Sequence, residues 1–265
     1  MAWLATIGVH GLGNKHMTLV LRNSTQIEKM RNAGRLVAQT HAMLREYVVP
    51  GAVLLDLDQL VEEYLREHGA TPSFKNYKGF PASTCISIND VICHGIPDKS
   101  RLKDGDLVAI DIGAFLDGWH GDSCVTYPVG TIDAQSQKLM DVTKEAMWRG
   151  IAQARAGNTL GDIGAAIQEY TESQGFSVVR EYTGHGIGRN MHEAPTVLHY
   201  GEWGKGLRLR AGMTFTIEPM VNVGSYATRL LKDGWTVKTV DGSRSAQFEH
   251  QLAVTDGEPD ILTVL

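Results

Sequence analysis

Apolar residues recur at helical spacing from Ile27 through Met30, Val37 and Leu44 to Val48, which predicts an amphipathic helix. Thr25-x-x-Glu28 ahead of that run has the form of a capping box and places the opening of the helix at Thr25. Pro50-Gly51 should end it. Leu54, Leu57, Leu60, Val61, Tyr64 and Leu65 mark one side of a second helix that stops at Gly69. Segments 84–89, 106–112 and 122–129 read as strands, and 134–155 and Thr159–Gln174 as two further helices. Segments 213–218, 235–240, 246–255 and 261–265, rich in alternating and β-branched residues, read as strands again.

Helix, helix and strands, followed by the same order, points to an internal repeat. Sliding the chain by 106 lays Gly51, Leu54, Asp56, Glu63, Tyr64 and Gly69 over identical residues at Gly157, Leu160, Asp162, Glu169, Tyr170 and Gly175. Sliding by 107 lays Leu102-Lys103-Asp104-Gly105 over Leu209-Arg210-Ala211-Gly212 and brings Asp111 onto Glu218. The expectation is an α+β domain of two related halves whose strands present two carboxylates over a shared cleft.

With 265 residues, 43% of them hydrophobic and 21% charged, the chain can build one large core. A net charge of -5 gives no electrostatic basis for nucleic-acid binding. No apolar run is long enough to span a bilayer. Cys85, Cys93 and Cys124 form neither a disulfide framework nor a paired zinc motif, which fits a reducing cytosol. Residues 1–16 read as an N-terminal extension outside the fold, with Met17 as the natural start.

Four acids change this ordinary picture. Asp111 lies within the apolar run Leu107–Ile112, where an isolated ionised carboxylate would cost several kcal/mol unless a cation offset it. Asp122 follows eleven residues later, close enough to sit on the adjoining strand of a hairpin. Glu218 ends the apolar run Met213–Ile217, and Glu249 interrupts another. His185, flanked by Gly184 and Gly186, adds a nitrogen donor where backbone can approach closely. Each acid alone is more often an ion-pair partner or a cap than a ligand, but no matching set of Lys or Arg stands on apolar strands to pair with all four. Oxygen-rich ligation with one imidazole suits Mn, Fe(II), Co or Zn, and four carboxylates exceed the charge that one dication balances. Two dications would balance it and make hydroxide from water near neutral pH. The glycines at 184–188 lack the spacing of a dinucleotide or phosphate loop.

Asn89–Pro97, Asp111, His120-Gly121-Asp122, Gly184–Gly188, Phe215–Met220, Asp233–Val237 and Glu249-His250 together resemble, in order and spacing, the signature segments of type I methionine aminopeptidases of the bacterial kind. The resemblance runs from about residue 22 to 264. It implies the pita-bread fold, an α+β architecture of two pseudo-symmetric halves with a curved antiparallel sheet flanked by helices. Residues 17–265 would then be a single metallopeptidase domain, duplicated over about 23–133 and 134–265. Only 25 residues separate His192 from Glu218, which leaves no room for the helical insertion of type II relatives.

The resemblance further implies removal of N-terminal methionine from nascent proteins and peptides when the next residue is small, by attack of a dimetal-bound hydroxide. Asp111, Asp122 and Glu249 would bridge or chelate the metals, with His185 and Glu218 completing one shell. His94 and His192 would contact substrate, and Glu218 would shuttle protons. Tyr77, Phe80, Cys85 and Trp235 would receive the methionine side chain, with Met191 and Phe74 nearby. Phe80 and Met191 depart from the Tyr and Phe of known relatives, which bears on the pocket's shape more than on its substrate. A monovalent cation near Asn89, Val91 and Ser245 is also implied. The expected setting is a cytoplasmic monomer acting on nascent chains and meeting the ribosome, without membrane or direct nucleic-acid contact. The rival readings are an X-Pro peptidase of the same fold, an inactive pita-bread binding protein and a two-metal phosphoesterase. The first generally has an additional N-terminal domain, the second loses ligands, and the third wants more His and a cluster of cations for phosphate.

Overall fold

Asn23, not Thr25, caps the first helix. Its side chain accepts from the Gln26 backbone N–H at 2.9 Å, and the Gln26 side chain accepts from the Asn23 N–H at 3.0 Å. The box therefore stands two residues before the Thr25–Glu28 pair, because asparagine is the stronger cap and the local sequence offers both. In the computed structural model, which describes residues 19–265, helix α1 spans Ser24–Leu44; the expected extension at 1–16 and Met17 lie outside the described residues. A 3-10 turn at Arg45–Tyr47 takes over before Pro50, so Val48 falls outside the helix that the periodicity predicts.

The first half continues with α2 (Leu54–Glu67), β1 (Thr71–Pro72), β2 (Thr84–Ile88), β3 (Val91–Cys93), β4 (Leu107–Leu116) and β5 (Trp119–Pro128). The second contains α3 (Ala134–Ala152), α4 (Leu160–Ser173), β6 (Ser177–Val178), β7 (Gly184–Gly186), β8 (Glu193–Val197), β9 (Thr214–Ile217) and β10 (Met220–Asn222). It closes with β11 (Thr228–Leu230), β12 (Val237–Thr239), β13 (Ser245–Gln247), β14 (His250–Ala253) and β15 (Asp260–Ile261). The long predicted strand over 246–255 is thus two strands broken at Phe248-Glu249, and 261–265 shrinks to Asp260–Ile261. All of these sheets are antiparallel. β4 pairs with β5 on one edge and with β2 and β1 on the other, and β9 lies between β14 and β7 in the sheet β15-β14-β9-β7-β8.

Strand alternation divides the first half cleanly. Val108, Ile110, Ile112 and Ala114 of β4 face Leu36, Val37 and Leu44 of α1 and Leu57, Val61 and Leu65 of α2. Asp111 consequently points to the opposite face. In the second half, Leu139, Met147, Ile151, Ile163 and Ile167 of α3 and α4 cover Phe215, Ile217 and Leu252. Truncating any one of these large side chains to alanine should cost about 2–5 kcal/mol.

The two halves repeat their backbone contacts where the sequence repeats. Gly51 N–H donates to the Leu102 carbonyl at 2.7 Å, and Gly157 N–H to the Leu209 carbonyl at 3.0 Å. Leu102 N–H returns to Ala52 and Leu209 N–H to Asn158, at 2.9 and 2.7 Å. Gly105 and Gly212 both turn at positive φ, +88° and +89°. Val53–Arg101 and Thr159–Arg208 form matching antiparallel bridges.

Where the halves meet, β5 is stitched to β13 and β14 by buried polar side chains. Thr126 Oγ1 donates to the Gln247 carbonyl at 2.6 Å and accepts its N–H at 2.9 Å, Ser123 Oγ donates to the Glu249 carbonyl at 2.7 Å, and Gln251 Oε1 accepts from Asp122 N–H at 3.1 Å. Helix α1 lies flat on the other side of β5, where a Cβ at Gly121 would stand 2.5 Å from the Ala33 backbone. Among the described residues, no helix is long and apolar enough to cross a membrane.

His41 of α1 is buried beneath that contact, its Nδ1 2.9 Å from Tyr127 Oη and its Nε2 2.9 Å from the Ser123 carbonyl. Burial lowers its pKa to about 4, so the fold accommodates the neutral ring. An unfolded chain binds the proton from about pH 6.5 downward, so this contribution to stability is complete above that pH and is lost as pH falls toward 4. Wild type should lose about 2 kcal/mol more than His41→Gln between pH 7 and pH 5, read from urea midpoints at each pH.

Candidate metal centre

Asp111 sits in register between Cys85 of β2 and Cys124 of β5, while Asp122 on β5 stands opposite Gly113. The hairpin that brings the two acids together turns at Asp117-Gly118, both with positive φ, as a two-residue type I′ connection requires. That dipeptide is a strong sequence signal for the pairing. Glu218 follows the last residue of β9, and Glu249 sits in the break between β13 and β14 with its N–H on the Cys124 carbonyl at 2.9 Å. His185 lies at the centre of β7, whose flanking Gly184 and Gly186 have no room for a Cβ against the Thr216 and Ala194 carbonyls.

The structure brings all five residues predicted as ligands to one place. His185 Nε2 is 3.5 Å from Asp122 Oδ2 and 3.6 Å from Glu218 Oε1. Donor atoms of Asp122, His185 and Glu249 lie within 4.8 Å of one another. Asp111 and Asp122 are close enough for the charge of Asp122 to raise the pKa of Asp111 beyond the effect of burial. His185 Nδ1 faces the Gly186 carbonyl at 3.0 Å, which assigns the proton to Nδ1 and leaves the Nε2 lone pair toward the acids. Asp111 Oδ1, Asp122 Oδ1 and Glu249 Oε1 are buried with no hydrogen-bond partner. Among the described residues no Lys or Arg pairs with any of the four acids. Buried oxygens without donors, aimed beside an imidazole lone pair, are the donor set a divalent cation takes.

Without such a cation the carboxylates resist ionisation. Burial raises Asp111, Asp122 and Glu249 well above the carboxylate range, and the Asp122 charge pushes Asp111 and Glu249 further. Burial lifts Glu218 to about 8 against the opposing pull of His185.

Three supporting residues escaped the sequence reading. Thr216 Oγ1 donates to Glu218 Oε1 at 2.7 Å and accepts from the His185 N–H at 3.0 Å. Gln247 Nε2 donates to Glu218 Oε2 at 3.3 Å, and His199 Nε2 accepts from the Glu218 N–H at 3.2 Å. Thr216 and Gln247 each stand two residues before a glutamate, on the same strand face, a signal that period-two spacing carries.

The residues expected to touch substrate border this cluster. His192 is exposed, its ring 4.1 Å from His185 and its Nδ1 2.9 Å from Tyr77 Oη. His94 adopts positive φ and packs edge-on against Tyr182 and Trp235, and burial lowers its pKa to about 4. Phe80, Cys85, Met191 and Phe74 belong to one buried apolar cluster, with Tyr77 and Trp235 packed against it and Phe80 edge-on to Trp235 at 5.2 Å. Asn89 and Ser245 are adjacent through a 2.8 Å bond from the Ser245 N–H to the Asn89 carbonyl, while Val91 pairs with Lys238 next door.

A match to metallopeptidase family M24 extends over residues 28–256. The chain belongs to this family. It is 49% identical over 245 residues to methionine aminopeptidase 1 of Bacillus subtilis, covering 92% of this chain and 99% of that protein. It is 48% identical over 250 residues to the methionine aminopeptidase of Escherichia coli, covering 94% and 95%. The crystal structure of methionine aminopeptidase from Rickettsia prowazekii matches with a TM-score of 0.92 at 48% identity, over 93% of this chain and all of that one. Prolidase from Pyrococcus furiosus, 22% identical, matches with a TM-score of 0.76 over 93% of this chain and 66% of that one, and shares the fold. The architecture is the pita-bread fold of M24 metallopeptidases, as the motifs predict.

Asp111→Asn should stabilise the chelator-treated protein by about 1–4 kcal/mol, because it removes one member of a buried, unpaired acidic set. Urea denaturation in EDTA measures it, and a loss of stability would show that the carboxyl is satisfied without a cation.

Proposed function

We infer that this chain removes N-terminal methionine from peptides and nascent proteins whose second residue is small. The observation that carries the reading is the set of buried, partnerless oxygens of Asp111, Asp122 and Glu249 beside the His185 lone pair. Near-half identity to methionine aminopeptidases over almost the full chain supports it. On this reading the working unit is residues 17–265, with related halves over about 23–133 and 134–265.

Asp111, Asp122 and Glu249, together with His185 and Glu218, would hold two divalent cations. Two such ions, of Co, Mn, Fe(II) or Zn, would neutralise four carboxylates and would supply a nucleophile from water near neutral pH and polarise the scissile carbonyl. His192 at the rim donates to the developing oxyanion, while His94 holds the scissile amide. Glu218, positioned by Thr216 and Gln247, passes a proton to the departing amine. Tyr77, Phe80, Cys85 and Trp235 receive the unbranched thioether, whose sulfur packs well against aromatic edges. A monovalent cation at Asn89, Val91 and Ser245 would brace the adjacent turn. The setting is a cytoplasmic monomer acting near the ribosome.

With Mn or Co added, the purified protein should release methionine from Met-Ala-Ser and not from Met-Lys-Ser, nor cleave an Ala-Pro peptide. Cleavage of the Ala-Pro peptide in preference would favour the X-Pro reading that the fold alone permits, and activity surviving full chelation would remove the metal. Asp122→Asn should bind less metal and lose most turnover; normal turnover would sink its assignment as a metal ligand.

A further inference from the structure

We propose that Arg22 is a positioning residue that acts through Glu193 to hold loop 188–193, and with it Met191 and His192, in register with the metal centre. Arg22 directly precedes the Asn23 cap of α1, and its N–H donates to the Gly212 carbonyl at 2.7 Å, which anchors its backbone to the second half. The guanidinium is buried, lies 5.2 Å from the centre of the Trp119 ring and pairs with Glu193 Oε2. The other carboxylate oxygen, Oε1, accepts from the Asn190 N–H at 3.0 Å. Glu193 therefore joins the helix start to the loop through two different oxygens.

The loop is closed against this pair at several points. A Cβ at Gly188 would collide with the guanidinium, so the backbone there passes directly over Arg22. Gly188 N–H donates to the Asn190 carbonyl at 3.1 Å, and its own carbonyl accepts from His120 N–H at 2.9 Å, two residues before Asp122. Between these tethers Met191 packs into the buried apolar cluster with Phe74, Phe80 and Cys85, and His192 leans against His185 and Tyr77. No other arginine or lysine pairs with Glu193 among the described residues. Removing the guanidinium leaves a largely buried carboxylate without its cation, and the economical relief is for the Glu193 side chain, and the loop it closes, to move toward water.

The kinetic arm of the test rests on the aminopeptidase reading; the exchange arm does not. Arg22→Gln should lower kcat/KM for Met-Ala-Ser roughly 10- to 100-fold per metal-loaded protein, measured well below its melting temperature, since small displacements of positioned groups cost that much. Arg22→Lys should recover most of the loss, and Glu193→Gln should reproduce it. The double variant should be no worse than the poorer single one, because both act on one contact. Hydrogen exchange at the Asn190 amide should quicken in Arg22→Gln while amides of β4 keep their protection. A purely structural role would lower the melting temperature and leave these readouts unmoved. Kinetics within about two-fold of wild type, losses that multiply in the double variant, or unchanged Asn190 protection would each overturn the proposal. A wild-type protein inactive on Met-Ala-Ser would count against the aminopeptidase reading alone, and the exchange result would still decide the role of Arg22.

Discussion

Four carboxylates stripped of water and one imidazole, converging with no lysine or arginine of the described residues paired to them, set the terms for the rest of this molecule. Ionised groups in such a place are tolerable only when positive charge arrives from outside the chain. The longest strands and the strand ends hold them there. Asp111 and Asp122 stand on the longest strands, joined by a tight turn, and the glutamates stand at strand ends where backbone direction changes.

Convergence of this kind needs two bodies. A sheet covered by helices on one face must offer its other face to something, and here each half offers it to its relative. The seam between them is polar, built from Ser123, Thr126, Gln247 and Gln251, and nearly every donor along it finds an acceptor. Apolar seams slide; hydrogen-bonded ones hold register. The unsatisfied oxygens of Asp111, Asp122 and Glu249 are consequently a local exception in an otherwise well-paired boundary, which is what makes them informative.

Much of this was legible in the chain because the strongest signals were also the physically costly ones. An aspartate inside Leu107–Ile112 contradicts its surroundings, and that contradiction points from the chain alone to the place where the acids converge. The repeat was visible because turns at Gly51 and Gly157, or Gly105 and Gly212, demand the same backbone conformation twice. The short strands β3, β6, β7 and β10 were not visible, since two or three residues carry no period. The start of α1 differs from the Thr25 reading because Thr25-x-x-Glu28 and Asn23-x-x-Gln26 both have the form of a cap, and the stronger asparagine takes the position. Thr216 and Gln247 were missed because a neutral side chain beside a glutamate is unremarkable until the glutamate's own bonds are known.

The flush contact at Gly121 has a mechanical consequence. Helix α1 rests on β5 with less clearance than one methyl group needs, one residue before Asp122. The helix therefore serves as a reference plane for the carboxylate. Anything that thickens this joint lifts the strand and carries the acid away from its partners by the same fraction of an ångström, so tolerance at the chemical end of the protein is set on the reverse side of the sheet.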